Sequence, residues 1–255
     1  PATIVDEIVL RDGGSQLADV DAEGLTVGDD GEFWVASEGR GSVDDSNRPV
    51  EFTNKLLRCA SDGTLLDTIS LPASVNDRQR RFGLEGCAYV DAADGPYVYA
   101  CWQREWVGDP SGYIRIGRYD VDNDEWRFYY YPREAPVVTG WVGLSEIVAL
   151  GDETFAVLER DNQADVAARI KRIYTFSVSG LTPLSDASTG SFPVVTKTLV
   201  RDLIPDLTAD NGPVLDKPEG MTVLANGDVL VVTDNDGVDD SSGETQLVNL
   251  GDLFD

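Results

Sequence analysis

Four copies of one short glutamate-containing phrase carry the clearest chemistry in this 255-residue chain. The glutamates are Glu23, Glu85, Glu146 and Glu219, which are separated by 62, 61 and 73 positions. Carboxylates without imidazole or thiolate partners are ligands for hard cations, calcium first and magnesium as the alternative. If the fold brings the four copies together, the sequence predicts a calcium site.

A second group of charged residues follows the repeated glutamates, at the end of the next strand-like run in each copy. We expect Glu85 and Glu159 to act as catalytic carboxylates. Three arginines would grip an anionic ligand through paired hydrogen bonds: Arg40, Arg104 and Arg160. The expected metal ligands are Glu23, Glu146, Glu219, Asp161, Asp234 and Asp236.

These residue types are compatible with a hydrolytic site in which a cation activates a water molecule and a carboxylate accepts its proton. The alternative is structural. A glutamate beside an arginine once per repeat is also typical of salt bridges between neighbouring repeats, duplicated with the unit. The protein would then be a non-catalytic binding or surface-assembly module, and the sequence leaves both interpretations open.

The chain contains no histidine. A Ser-His-Asp triad, a Cys-His pair and a histidine-ligated zinc site all require an imidazole, so these chemistries are excluded. Any acid, base or nucleophile must come from carboxylates, Tyr, Lys, Ser or an activated water.

The charge balance restricts the partners. The 46 acidic residues outnumber the 20 basic ones, and the net charge is -26. This field repels phosphate backbones and anionic membranes, so we expect no nucleic acid, and the apolar runs are too short for membrane insertion. We expect a secreted or extracytoplasmic location, and we expect that any targeting segment before Pro1 has been removed or was never present. A solubility surface of a salt-adapted organism is the alternative.

The repeats predict the elements that must position these residues. Each phrase is followed by a turn and a second β-rich run, which indicates a hairpin, and a third and fourth run complete most units. The pattern predicts an all-β fold, a β-propeller of four-stranded blades. The expected blades are residues 20–72, 82–132, 142–201 and 216–250, and an N-terminal strand at 3–10 is expected to complete the last blade.

Four motifs in order closely resemble the phytase-like family, described as having esterase-like activity of phytase. They are Asp21-Ala22-Glu23-Gly24-Leu25, Gly83-Leu84-Glu85-Gly86, Leu144-Ser145-Glu146-Ile147 and Lys217-Pro218-Glu219-Gly220-Met221. The resemblance covers essentially the whole chain and implies hydrolytic activity on a small-molecule ester or phosphoester substrate. Members of that family usually carry one further repeat. The resemblance therefore implies either a ring of four blades or a five-bladed ring lacking one, which the missing blade or a partner chain would complete.

Three cysteines are present, and two of them lie on neighbouring strand-like runs. Cys87 and Cys101 are within reach of a disulfide if the two runs form a hairpin. Burial of all three as small apolar side chains is the alternative.

Overall fold

The protein is a β-propeller, as the sequence predicts, and the ring has four blades. The computed structural model describes residues 3, 5–151, 153–185, 192–209, 214–215, 217–234 and 245–254. Antiparallel sheets form the four blades, and each blade is built from strands in chain order. The innermost strand therefore comes first in every blade, and the others follow outward.

The strands are short and consecutive. A small N-terminal hairpin is formed by β1 (Arg11–Asp12) and β2 (Ser15–Gln16). Blade 1 contains β3 (Ala22–Val27), β4 (Phe33–Ser37), β5 (Lys55–Cys59) and β6 (Leu65–Ser70). Blade 2 contains β7 (Leu84–Ala92), β8 (Gly95–Trp102), β9 (Tyr113–Asp120) and β10 (Glu125–Pro132).

The second half repeats this order. Blade 3 contains β11 (Val142–Gly151), β12 (Thr154–Asp161), β13 (Lys171–Ser177) and β14 (Thr196–Asp202). Blade 4 contains β15 (Lys217–Val223), β16 (Asp228–Asp234) and β17 (Leu247–Asp252). The described helices are the single turns α1 (Ala73–Asn76) and α2 (Ile204–Leu207) and a 3-10 turn at Asp165–Ala167, and none could span a membrane.

The core lies between the blades, because alternate residues of each strand face the neighbouring sheet. The innermost strands pack in sequence, β3 against β7, β7 against β11 and β11 against β15. A large aromatic-rich cluster that includes Trp34, Trp102 and Phe155 fills the space between the first three blades. A second cluster, including Leu158 and Val231, joins blades 3 and 4. This packing fixes the innermost strands around one axis.

The N-terminal segment differs from the expectation. Residues 3 and 5–10 contain no described strand, and Arg11 bridges Thr64 of blade 1 instead of extending blade 4. Leu10 and Leu17 pack against the apolar face of blade 1 that contains Leu57. Covering this face buries apolar area, which accounts for the placement. Within the described residues, blade 4 has three strands.

All three cysteines are buried free thiols. Cys87 pairs across the hairpin with Ala100, not with Cys101. Neighbouring strand residues point to opposite faces, so this register directs the two thiols away from each other.

Candidate functional site

A β-bulge interrupts the innermost strand of every blade at the repeated phrase. The register shifts between Ala22 and Gly24 in blade 1 and between Pro218 and Gly220 in blade 4, which leaves Glu23 and Glu219 as the extra residues. A bulge re-aims a side chain and is common beside functional sites. Here the bulges direct Glu23 and Glu219 toward the mouth of the central channel.

Blade 2 has the same bulge, between Leu84 and Cys87, and it contains Glu85. In blade 3 the bulge falls between Leu144 and Glu146, so that the extra residue is Ser145. Ser145 is therefore the structural counterpart of the three mouth glutamates.

The sequence predicted that four repeated glutamates meet at the channel mouth, but only three of them do: Glu23, Glu85 and Glu219. Glu146 pairs with Leu158 and occupies the position that Gly24 and Gly220 hold in their blades. Its side chain lines a separate cavity of about 180 Å³ further along the innermost strands, where it lies against Gly86. Burial raises the pKa of Glu146 to about 8.

The channel mouth is a cavity of about 630 Å³. Carboxylates, cationic side chains and two aromatic rings share its walls. The acidic residues are Asp21, Glu23, Glu38, Glu85, Glu219 and Asp234. The cationic residues are Arg81, Arg160 and Lys217, and the aromatic ones are Phe82 and Trp141.

One part of this cavity has the geometry of a cation site. Asp21, Glu23 and Glu38 each offer a carboxylate oxygen, and these oxygens lie within 4.8 Å of one another. Oxygens that coordinate calcium at 2.3–2.6 Å have separations of this order. Glu85 lines the same cavity, is only 3% exposed and faces the carboxylates of Glu23 and Glu38. A buried carboxylate in this condition fits a cation that would neutralise it.

The pKa values of these groups reflect the crowding of like charges. Burial, followed by repulsion from Glu38 and Asp21, raises the pKa of Glu23 to about 8. Burial is also the main cause that raises the pKa of Glu38 to about 7, although an amide hydrogen bond from Gly83 opposes it. The pKa of Glu85 lies well above its usual range, because it is buried and faces Glu23 and Glu38.

Arg160 supplies positive charge to the opposite side of the cavity. The Arg160 Nε donates to Ser145 Oγ at 2.9 Å, and a terminal nitrogen of the same guanidinium forms an ion pair with Glu219. The guanidinium also lies over Trp141, 5.2 Å from the ring centroid. Lys217 and Asp234 form a looser pair at 3.8 Å. The contact of Arg160 with Glu219 joins blades 3 and 4, so Arg160 has a structural role as well.

Two expected site residues of β12 point away from the cavity. Glu159 is fully buried and accepts hydrogen bonds from Tyr131 Oη at 2.6 Å and Lys197 Nζ at 2.7 Å, which connects blades 2 and 3. Asp161 pairs with Lys171 at 3.0 Å and accepts from the amide of Ile170. Strand alternation explains this, since only Arg160 between them faces the mouth.

The other expected residues lie around the cavity. Arg40 is largely exposed, pairs with Glu51 at 3.6 Å and lines an adjoining groove. Arg104 lies against Phe82 and Trp141 of the cavity wall. Asp236 falls outside the described residues.

Sequence reasoning missed several cavity residues, among them Asp21, Phe82 and Trp141. Asp21 stands two positions before a repeated glutamate, and Glu38 opens the Glu38-Gly39-Arg40 run at the end of β4. Both residues could therefore have been predicted from the sequence as members of the acidic cluster. Phe82 and Trp141 lie in connections between blades, and the pattern of strands contains no signal for them.

The fold and this mouth define the class: a β-propeller with an acidic cavity at one end of its channel. The Phytase-like family, described as esterase-like activity of phytase, matches residues 1–237. The chain belongs to this family, and membership suggests an esterase-like hydrolase with a small-molecule ester substrate. A comparison with curated proteins gave no match.

Proposed function

We propose that the protein is an extracytoplasmic, calcium-dependent hydrolase of phosphate or carboxylic esters, with its site in the acidic cavity. The observation that carries the proposal is the convergence of Glu23, Glu85 and Glu219 with Asp21 and Glu38 beside cationic side chains. Repeats far apart along the chain contribute to one cavity. The esterase-like family is consistent with this chemistry.

The residues divide into roles. Asp21, Glu23 and Glu38 would hold calcium, which supplies charge neutralisation for the clustered acids and a positive pole for the ester. Glu85, buried beside them, would accept a proton from water once its raised pKa is lowered by the bound cation. Arg160 would donate hydrogen bonds to the oxygen that gains negative charge. Glu219 would hold the Arg160 guanidinium in place.

The extracytoplasmic location rests on the charge and the proposed cation. A net charge of -26 favours a medium that supplies counterions, and a site of this kind fills where free calcium is abundant. If the protein does not require calcium, the proposal of an extracytoplasmic location loses its main support.

The test is hydrolysis of an aryl phosphate and an aryl acetate with calcium and with a chelator. We expect turnover of at least one substrate that depends on calcium and is lost in Glu85→Gln. Glu125→Gln changes an exposed carboxylate at the edge of blade 2 and serves as the matched control. Turnover that survives chelation, or that Glu85→Gln leaves unchanged, would contradict the proposal.

A non-catalytic binding module is the second candidate, and the ion pair between Arg160 and Glu219 favours it, because this contact joins two blades. On this alternative, calcium raises the melting temperature, and neither ester is hydrolysed.

A further inference from the structure

Two arginines at the rim of the cavity lack the partners that arginines in this protein usually have. Acidic residues outnumber basic ones by 46 to 20. Arg115 and Arg133, for example, pair with carboxylates at 2.6 and 2.7 Å. Within the described part of the chain, Arg81 and Arg104 form no side-chain hydrogen bond or ion pair, although the cavity beside them is rich in carboxylates.

Aromatic rings hold both guanidinium groups instead. Arg81 and Arg104 lie 4.3 and 4.9 Å from the centroid of the Phe82 ring, and Arg104 also lies 5.0 Å from that of Trp141. Stacking on a ring fixes a guanidinium while its N–H edge remains able to donate. Glu105, next to Arg104 in sequence, pairs directly with Arg133, and its charge acts on Arg104 without a direct ion pair between the two side chains.

The Phe82 backbone is strained. Its φ of 69° lies in the left-handed region, which a bulky side chain rarely adopts. The next amide, that of Gly83, donates to Glu38 of the acidic cluster at 2.5 Å. Strain of this kind persists only where the surroundings impose it, and it concentrates at functional sites. The Phe82 ring belongs to the wall of the acidic cavity and contacts both guanidinium groups.

Arg81 lines the acidic cavity, and Arg104 contacts two rings of its wall. Arg81 lines both the acidic cavity and an adjoining groove of about 340 Å³, which Arg40 and Arg48 also line. Phe82 and Trp141, which hold Arg104, belong to the wall of the acidic cavity. Donors for an anion therefore lie beside the acids that would hold a cation.

We propose that Arg81 and Arg104, held by Phe82 and Trp141, form an oxyanion-binding subsite at the rim of the acidic cavity. It would take a phosphate or carboxylate group of the ligand through charge-assisted hydrogen bonds. The inference deepens the proposed function, since the subsite would orient the anionic part of an ester substrate.

The test is calorimetric titration of the full chain with inorganic phosphate and, separately, acetate in metal-free buffer of low ionic strength. We expect measurable binding of at least one anion. Arg81→Gln and Arg104→Gln should each weaken it roughly tenfold or more, as loss of a hydrogen bond between charged groups does. Phe82→Leu retains both charges but removes the ring, and it should weaken binding as well.

Arg80→Gln is the matched control, because Arg80 neighbours Arg81 but pairs with Asp44 at the exposed surface. It should leave the affinity unchanged. Absence of binding for both anions, or equal losses in the control, would overturn the subsite. Because the titration requires no turnover, a protein that binds phosphate through these arginines but hydrolyses no ester would refute the proposed function alone.

Discussion

Glu146 shows how a single residue can occupy a position that its sequence pattern does not predict. It shares the repeated phrase with the three mouth glutamates, but the bulge of blade 3 falls one residue earlier, at Ser145. Its carboxyl is buried without a described cationic partner and has a pKa of about 8. In the folded protein at neutral pH this group is therefore protonated.

A pH-dependent stability follows from this burial. The folded protein retains a proton on Glu146 that the unfolded chain releases, so the free energy of unfolding falls as pH rises from about 4.5 to about 8. The contribution is about 1.4 kcal/mol per pH unit within that window. Glu146→Gln should remove it. Urea unfolding of both proteins at pH values below and above the window checks this, and parallel pH profiles would contradict it.

Substitution of Glu159 tests whether this residue has a structural or a catalytic role. Removing its charge in Glu159→Gln weakens the contact with Tyr131 of blade 2 and the contact with Lys197 within blade 3. We expect a loss of about 1.5–3 kcal/mol in stability, with activity per folded molecule retained. Chemical denaturation and steady-state rates measure the two quantities. Normal stability with abolished turnover would show that Glu159 acts in catalysis.

At the scale of elements, close approach of the innermost strands decides where the mouth residues meet. A Cβ on Gly24 would lie 2.5 Å from the carbonyl oxygen of Glu85 and 2.6 Å from the Cα of Gly86. Both are backbone atoms and cannot turn aside. Gly24 thus permits β3 to contact β7 directly, and Gly86 does the same between β7 and β11, since a Cβ there would lie 2.5 Å from the amide nitrogen of Ile147.

Gly24→Ala should therefore push β3 away from β7. We expect a loss of about 1–3 kcal/mol in stability, as overpacking produces, together with weaker cation binding. Gly151→Ala is the matched control, since among the described residues no heavy atom beyond its chain neighbours lies within 4 Å of the added methyl group. Denaturant unfolding compares the two variants. Equal stability of both would show that the strands tolerate separation.

The sequence predicted the blades well because turn residues and β-rich runs are local signals, and the strands follow the expected order. It did not predict the third bulge, because a bulge depends on pairing with the next strand. The pair Gly143-Leu144 matches Gly83-Leu84 in sequence. Aligning the two repeats on these pairs makes Ser145, and not Glu146, equivalent to Glu85. It also did not predict the aromatic wall, since Phe82 and Trp141 meet only through the ring of blades.

For the whole molecule, the ring concentrates acids from distant repeats while the rest of the surface is also acidic. The net charge of -26 attracts cations to the molecule, but only the mouth offers three carboxylate oxygens within 4.8 Å among the described residues. General attraction is weakened by salt, whereas a coordinated ion is retained. The two effects can thus be separated by ionic strength.

Cation binding at the mouth should depend on pH. Glu38 and Glu23 have pKa values of about 7 and about 8, and both must lose their protons to coordinate a cation. Calcium affinity should therefore rise as pH increases through this range and level off above it, with release of protons. Titrations in buffers of different ionisation enthalpy measure this release. Affinity that is independent of pH would contradict these ligands.

The most direct measurement is calcium titration by calorimetry at moderate salt, with wild type, the Glu23→Gln/Glu38→Gln double variant and the Glu125→Gln control. The account predicts saturable binding in wild type and control and at least tenfold weaker binding in the double variant, because two charged ligands are lost. Equal affinity in all three proteins, or no saturable binding in wild type, would contradict the claim that the bulged glutamates build a cation site.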